Sequence, residues 1–152
     1  MLFGGLNRGY KMRDRFSFSY REFRWELKLT DEIVVIDCNS GAGKTLMMDS
    51  LEELSVLPEF NFVRVFNYKT RDLAKQIKAC ENNLIFIDNG ELMLDNDVVH
   101  AIYYDLTNQF VIAAHNLHGL EVSLYDFKKL VYDEHQKLFR LEDAYAKLFS
   151  MA

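Results

Sequence analysis

Near the start of the chain, hydrophobic and polar positions alternate. Phe16, Phe18 and Tyr20 interleave with Arg15, Ser17 and Ser19, and Phe23, Trp25, Leu27 and Leu29 interleave with Arg24, Glu26 and Lys28. A period of two predicts strands with one buried face. A turn at Arg21-Glu22 sets both apolar series on the same face of a hairpin within residues 10–30. This turn lacks the Asn-Gly or Gly-X chemistry of two-residue hairpins, which points to a longer loop.

Further along, the period changes. Short apolar runs at 33–36, 84–87 and 109–114 read as buried strands, and Asn61 to Asn67 reads as a strand centred on Phe62-Val63-Arg64-Val65-Phe66. Between them the spacing is helical. Leu46, Met47, Met48, Leu51 and Leu54 mark a helix over 45–55 that ends before Pro58, Leu73 and Ile77 mark one over 72–80, and Val98, Ile102 and Leu106 mark one over 97–106. Residues 117–129 have no clear period, whereas 129–132 and 137–141 suggest a terminal hairpin around Asp133-Glu134-His135-Gln136, with a short helix after Glu142. Strands alternating with helices predict an α/β fold with a parallel sheet covered by helices. Residues 1–152 then form a single domain, with the N-terminal hairpin packed onto it.

The strand at 33–36 leads into Asp37-Cys38-Asn39-Ser40-Gly41-Ala42-Gly43-Lys44-Thr45, and Gly-Lys-Thr opens the following helix. A strand, a small-residue loop and a helix N-terminus make an anion site from backbone N–H groups. Asn39, Ser40, Gly41, Ala42, Gly43, Lys44 and Thr45 are the candidate phosphate-binding residues. The pattern G-x-x-x-x-G-K-[ST] is met except at its first glycine, where Cys38 stands. On these residues the chain resembles the P-loop NTPase superfamily, in its branch with an added core strand.

That resemblance implies a three-layer sandwich with a mostly parallel central sheet. It implies ATP and Mg²⁺ as cofactors, Lys44 on the β- and γ-phosphates, and Thr45 as a Mg²⁺ ligand. Asp88, closing Leu84-Ile85-Phe86-Ile87-Asp88, resembles the aspartate that holds the metal shell. A catalytic Glu usually follows that Asp; here Asn89 does, and an amide orients water without taking its proton. Glu91 is either the displaced catalytic carboxylate or an ordinary acid at a helix start. Asn116 or His115 ends the next strand where a sensor side chain is expected. The stretch from Phe110 to Tyr125 with the hairpin after it is also similar to small uncharacterised ATP-binding proteins of Gram-positive bacteria and their mobile elements.

No Asn-Lys-x-Asp segment reads guanine, so ATP is the expected nucleotide. Residues 72–139 contain no Arg, which argues against a small-molecule kinase with an Arg-rich lid. The sequence therefore predicts an ATPase whose hydrolysis is slow or depends on an arginine from a protein partner or a second copy. The alternative is a nucleotide-responsive interaction module without significant hydrolysis.

Charge and composition refine this picture. Residues 1–28 carry seven Lys or Arg against three Asp or Glu, although the chain as a whole is −5. Basic residues among aromatics can signal nucleic acid, but the strict alternation favours a hairpin whose aromatics face the core. Cys38 and Cys80 lack disulfide or metal spacing, and the four His show no zinc pattern, so a reducing, cytoplasmic setting is expected. No apolar run is long enough for a membrane span.

Overall fold

A computed structural model describes residues 12–37, 43–115 and 126–144. The strands are β1 (Arg15–Tyr20), β2 (Phe23–Lys28), β3 (Ile33–Asp37), β4 (Val63–Phe66), β5 (Leu84–Ile87), β6 (Gln109–Ala114), β7 (Asp126–Asp133) and β8 (Leu138–Asp143). The helices are α1 (Lys44–Leu54), α2 (Leu73–Lys78), α3 (Gly90–Met93) and α4 (Asn96–Tyr103). A 3-10 turn at Pro58–Phe60 precedes β4.

All eight strands join one sheet in the order β1-β2-β8-β7-β3-β6-β5-β4. The class is α/β and the sheet is mixed. Within β7-β3-β6-β5-β4 every pairing is parallel. At the other end β7 and β8 pair antiparallel, β8 and β2 parallel, and β2 and β1 antiparallel. Two tight turns make the sheet mixed rather than parallel throughout. Asp133 Oδ1 accepts N–H bonds from His135 at 2.9 Å and Gln136 at 3.3 Å, so β8 must double back. The N-terminal hairpin is likewise an extension of the sheet and not a separate layer, since β2 pairs with β8. Its turn is Arg21-Glu22 alone, shorter than its chemistry suggests, with Arg21 in a left-handed conformation at φ 56°.

β7 begins at Asp126 and β8 ends at Asp143, so this second hairpin is longer than its apolar pattern indicates. Asp143 still belongs to β8, and the short helix expected after Glu142 falls on residues from 145, which lie outside the described residues.

Side-chain alternation along the strands divides the core in two. Val34, Ile36, Leu84, Phe86, Val111 and Ala113 face α1, through Met47, Met48 and Leu51. Ile33, Val35, Ile85, Ile87, Phe110 and Ile112 face the opposite helices, through Leu73, Ile77, Val98 and Ile102. The face of α1 continues into the hairpins as an aromatic ladder. Phe18 stacks on Trp25 at 4.7 Å, Trp25 on Phe139 at 4.9 Å, and Phe139 lies 4.5 Å from Tyr132. These four are register partners across β1, β2, β8 and β7. The Tyr20 hydroxyl donates to Glu53 on α1, and this bond raises the phenol pKa above its ordinary value.

Candidate functional site

Parallel pairing brings the ends of β3, β5 and β6 to one edge of the sheet. Asp37 is level with Ala114, and Ile87 with Ile112, so Asp88 follows directly at the carboxyl edge. The chain leaving β3 returns as Gly43 and α1. β7 is paired to β3 only over Asp126–Lys128, and its remainder runs past Ile36 together with β8. This overhang walls the carboxyl edge on one side.

Gly43 rests against that wall. It adopts φ 76° and ψ 19°, and its carbonyl accepts the Met47 N–H at 3.0 Å. A Cβ at this position would fall 2.4 Å from Cε1 of Phe139. Glycine is thus required twice, for the left-handed backbone and for the close approach. Lys44 is half-buried and Thr45 exposed in the first turn of α1. Among the described residues, that turn has no acidic side chain and no side-chain cap to meet its N–H groups and positive dipole end.

Across the edge, Asp88 is half-buried. Its N–H donates to Phe66 O at 2.9 Å, and its Oδ1 accepts the Asn89 N–H at 2.9 Å. Asn89 is left-handed at φ 54°, which turns the chain into α3. Gly90 then packs on β6, where a Cβ would meet Ile112 Cγ2 at 2.7 Å and Ala114 Cβ at 3.0 Å. Glu91 follows in α3, half-buried, with its Oε1 buried and without a hydrogen-bond partner among the described residues. An orphaned buried acceptor costs about 1–3 kcal/mol, and a carboxylate oxygen so placed is suited to hold a water or a donor brought in by a ligand.

Of the sequence-predicted residues, Gly43, Lys44, Thr45, Asp88 and Glu91 therefore share the carboxyl edge. His115 is exposed at the end of β6. Cys38, Asn39, Ser40, Gly41, Ala42 and Asn116 lie outside the described residues. Two residues of the site were not evident from sequence. Gly90 had a signal, a glycine directly after Asp88-Asn89. Phe139 had none, because its role depends on a pairing between β2 and β8 that local pattern does not reveal.

Among the described residues, no group of three or more His, Cys, Asp or Glu forms a metal cage. Thr45 and Asp88 offer hard oxygen donors suited to Mg²⁺, which commonly takes one or two protein ligands together with phosphate oxygens and water. Comparison of the chain with protein families, with curated proteins and with solved structures finds no match.

Proposed function

We propose that the chain binds Mg-ATP as a P-loop protein of the added-strand branch, with hydrolysis that is slow or completed by a partner. The observation that carries this reading is the shared carboxyl edge, with a left-handed Gly43 before Lys44-Thr45 on one side and Asp88 at the end of β5 on the other. The strand order supports it, because β6 lies between the strand leading to Gly43 and the strand leading to Asp88. Helices against both faces of β3, β5 and β6 fit the three-layer sandwich that this reading entails.

In this reading, the backbone from Asn39 to Gly43 and the Lys44 ammonium bind the phosphates. Thr45 and Asp88 hold Mg²⁺, which neutralises phosphate charge when bound. Glu91 orients the attacking water through its buried Oε1, and Asn116 or His115 senses the γ-phosphate. The absence of Arg from residues 72–139 means that transition-state charge is met by an arginine from a protein partner or a second copy, a contribution worth about 10³–10⁵ in rate. A small-molecule kinase fits less well for the same reason.

One observation favours the second reading, a nucleotide-responsive interaction module. Asn89 follows Asp88 where a proton acceptor is needed, and its left-handed backbone is committed to the turn into α3. Nucleic acid is a weaker partner, since Phe16, Phe18 and Trp25, the rings that would stack on bases, are buried. No described helix is long and apolar enough to cross a membrane. The cytoplasmic setting we propose rests on Cys38 and Cys80, which lack disulfide or metal spacing.

Calorimetric titration with Mg-ATP and Mg-GTP tests the proposal. Binding of Mg-ATP that disappears in a folded Lys44→Ala variant is the expected result, because that variant loses a charge-assisted phosphate contact. Unchanged affinity in this variant would remove the basis of the site.

A further inference from the structure

β4 is the last strand of the sheet and pairs only with β5 among the described residues. The Phe62 carbonyl accepts from Leu84 N–H, and the Phe66 carbonyl from Asp88 N–H, each at 2.9 Å. In a parallel ladder such alternate residues face the partner strand, which leaves the backbone groups of Val63 and Val65 on the free edge. A groove of about 700 Å³ runs along this edge. It is lined by Arg64, Lys69 and Arg71 and by no acidic side chain.

None of these three cations forms an ion pair with a described residue. Arg64 lies over the Phe66 ring at 5.7 Å and Lys69 over Tyr68 at 5.8 Å. Glu52, on neighbouring α1, accepts instead from Asn67 Nδ2 at 3.0 Å. A groove with only cations runs against the −5 charge of the chain. It also disfavours a second copy as occupant, since antiparallel pairing of two β4 edges brings like charges together.

We infer that the free edge of β4 takes an extended acidic segment of a partner protein as an additional strand. The Val63 and Val65 backbone supplies the ladder, and Arg64, Lys69 and Arg71 supply charge-assisted bonds to carboxylates. This inference does not depend on nucleotide binding.

Fluorescence anisotropy on the full chain tests it with a labelled peptide of about eight residues that alternates Glu and Val. Controls are the same peptide with Gln or Lys in place of Glu, and a single-stranded oligonucleotide of equal charge. The Glu peptide should bind, weaken with added salt, and lose about tenfold or more in affinity when Arg64, Lys69 and Arg71 are each changed to Glu. N-methylation of alternate peptide residues should weaken it similarly, because pairing needs those N–H groups and this probe leaves the protein intact. The Val65→Pro variant removes one free-edge donor without touching the β5 ladder, and should behave likewise if its melting temperature is retained. Equal binding of all three peptides would overturn the inference. So would indifference to N-methylation, or a preference for the oligonucleotide.

Discussion

The face of the sheet that carries α1 is built around stacked aromatic rings, and the opposite face is mostly aliphatic, with Phe66 and Phe110 as its buried rings. On the first, Phe16, Phe18, Trp25, Phe86 and Phe139 are buried together, and the ladder ends against Gly43. On the second, Ile, Val and Leu side chains pack beneath α2 and α4, and the contact with the candidate site is made by Ile112 against Gly90. Both faces therefore press a glycine into a fixed place, one before Lys44 and one before Glu91. The difference is in reach. The aromatic ladder joins four strands from opposite ends of the sequence, whereas the buried residues of the aliphatic face all fall within residues 33–112. Aromatic pairs contribute about 0.5–1.5 kcal/mol each beyond their buried area, so the ladder is the main side-chain tie between the two hairpins, while the β7–β3 pairing joins them to the parallel strands.

Breaking the ladder should have the largest effect. Trp25 is fully buried, and Trp25→Ala is expected to cost about 3–5 kcal/mol in denaturant unfolding. Trp25 Nε1 is buried and has no hydrogen-bond partner among the described residues. Trp25→Phe, which keeps the stack and removes that orphaned donor, should therefore cost much less than Trp25→Ala. Equal losses in the two variants would mean that the stack is not what holds β2 to β8.

The next effect separates the two glycines. Gly43→Ala incurs about 1–2 kcal/mol for the left-handed backbone and about 1–3 kcal/mol for the clash with Phe139, whose ring is held between Trp25 and Tyr132. Gly90 has no positive φ, so Gly90→Ala carries only overpacking, about 1–3 kcal/mol. Ile112→Val should recover part of the Gly90→Ala loss, because it trims the side chain that the new Cβ meets. No Ile or Val change should rescue Gly43→Ala. Melting curves of the single and double variants decide this.

The contrast also explains what the sequence could reveal. Continuous apolar runs and helical spacing were sufficient for β3 to β6 and for α1, α2 and α4, because burial on both sheet faces, or along one helix face, leaves its period in the local sequence whichever strands are the neighbours. The alternation over residues 15–29 correctly assigned Phe16, Phe18, Trp25 and Leu27 to the core. It could not say that the hairpin extends the sheet, since that depends on Trp25 meeting Phe139, more than a hundred residues away. The start of β7 was missed because Asp126 and Lys128 look like loop residues. Their side chains are instead taken up by Thr30 and Asp143. At the site, Gly-Lys-Thr and Asp88 were legible as motifs, and Gly43 and Asp88 sit at one edge as the parallel reading required.

A smaller effect on stability, but a sharper one on chemistry, is expected at Glu91. Glu91→Gln keeps the shape of the side chain and removes its charge. In the ATPase reading, Mg-ATP affinity should stay within about twofold while turnover falls by about 10²–10⁴-fold, the usual scale for losing a positioned general base. In the interaction-module reading, neither affinity nor the already low turnover should move. Single-turnover measurements beside calorimetry distinguish the two.

The smallest effect belongs to the aliphatic face, at Cys80. This thiol is buried, its Sγ donates to Gln76 O at 3.2 Å, and burial raises its pKa above the ordinary thiol value, with Arg64 opposing in part. The folded chain therefore holds the proton more tightly than the unfolded chain. Below the ordinary thiol value, Cys80 adds no pH dependence. As pH rises through that value, the unfolded thiol ionises first and stability declines toward the folded pKa. Unfolding followed between about pH 8 and about pH 10 should thus show a steeper loss in the native chain than in Cys80→Ala. The variant should be slightly less stable at neutral pH, because it loses packing beside Ile77 and Ile85. Parallel pH profiles in the two proteins would mean that the thiol ionises as readily folded as unfolded, and that this end of the aliphatic face opens to water far more easily than the aromatic ladder does.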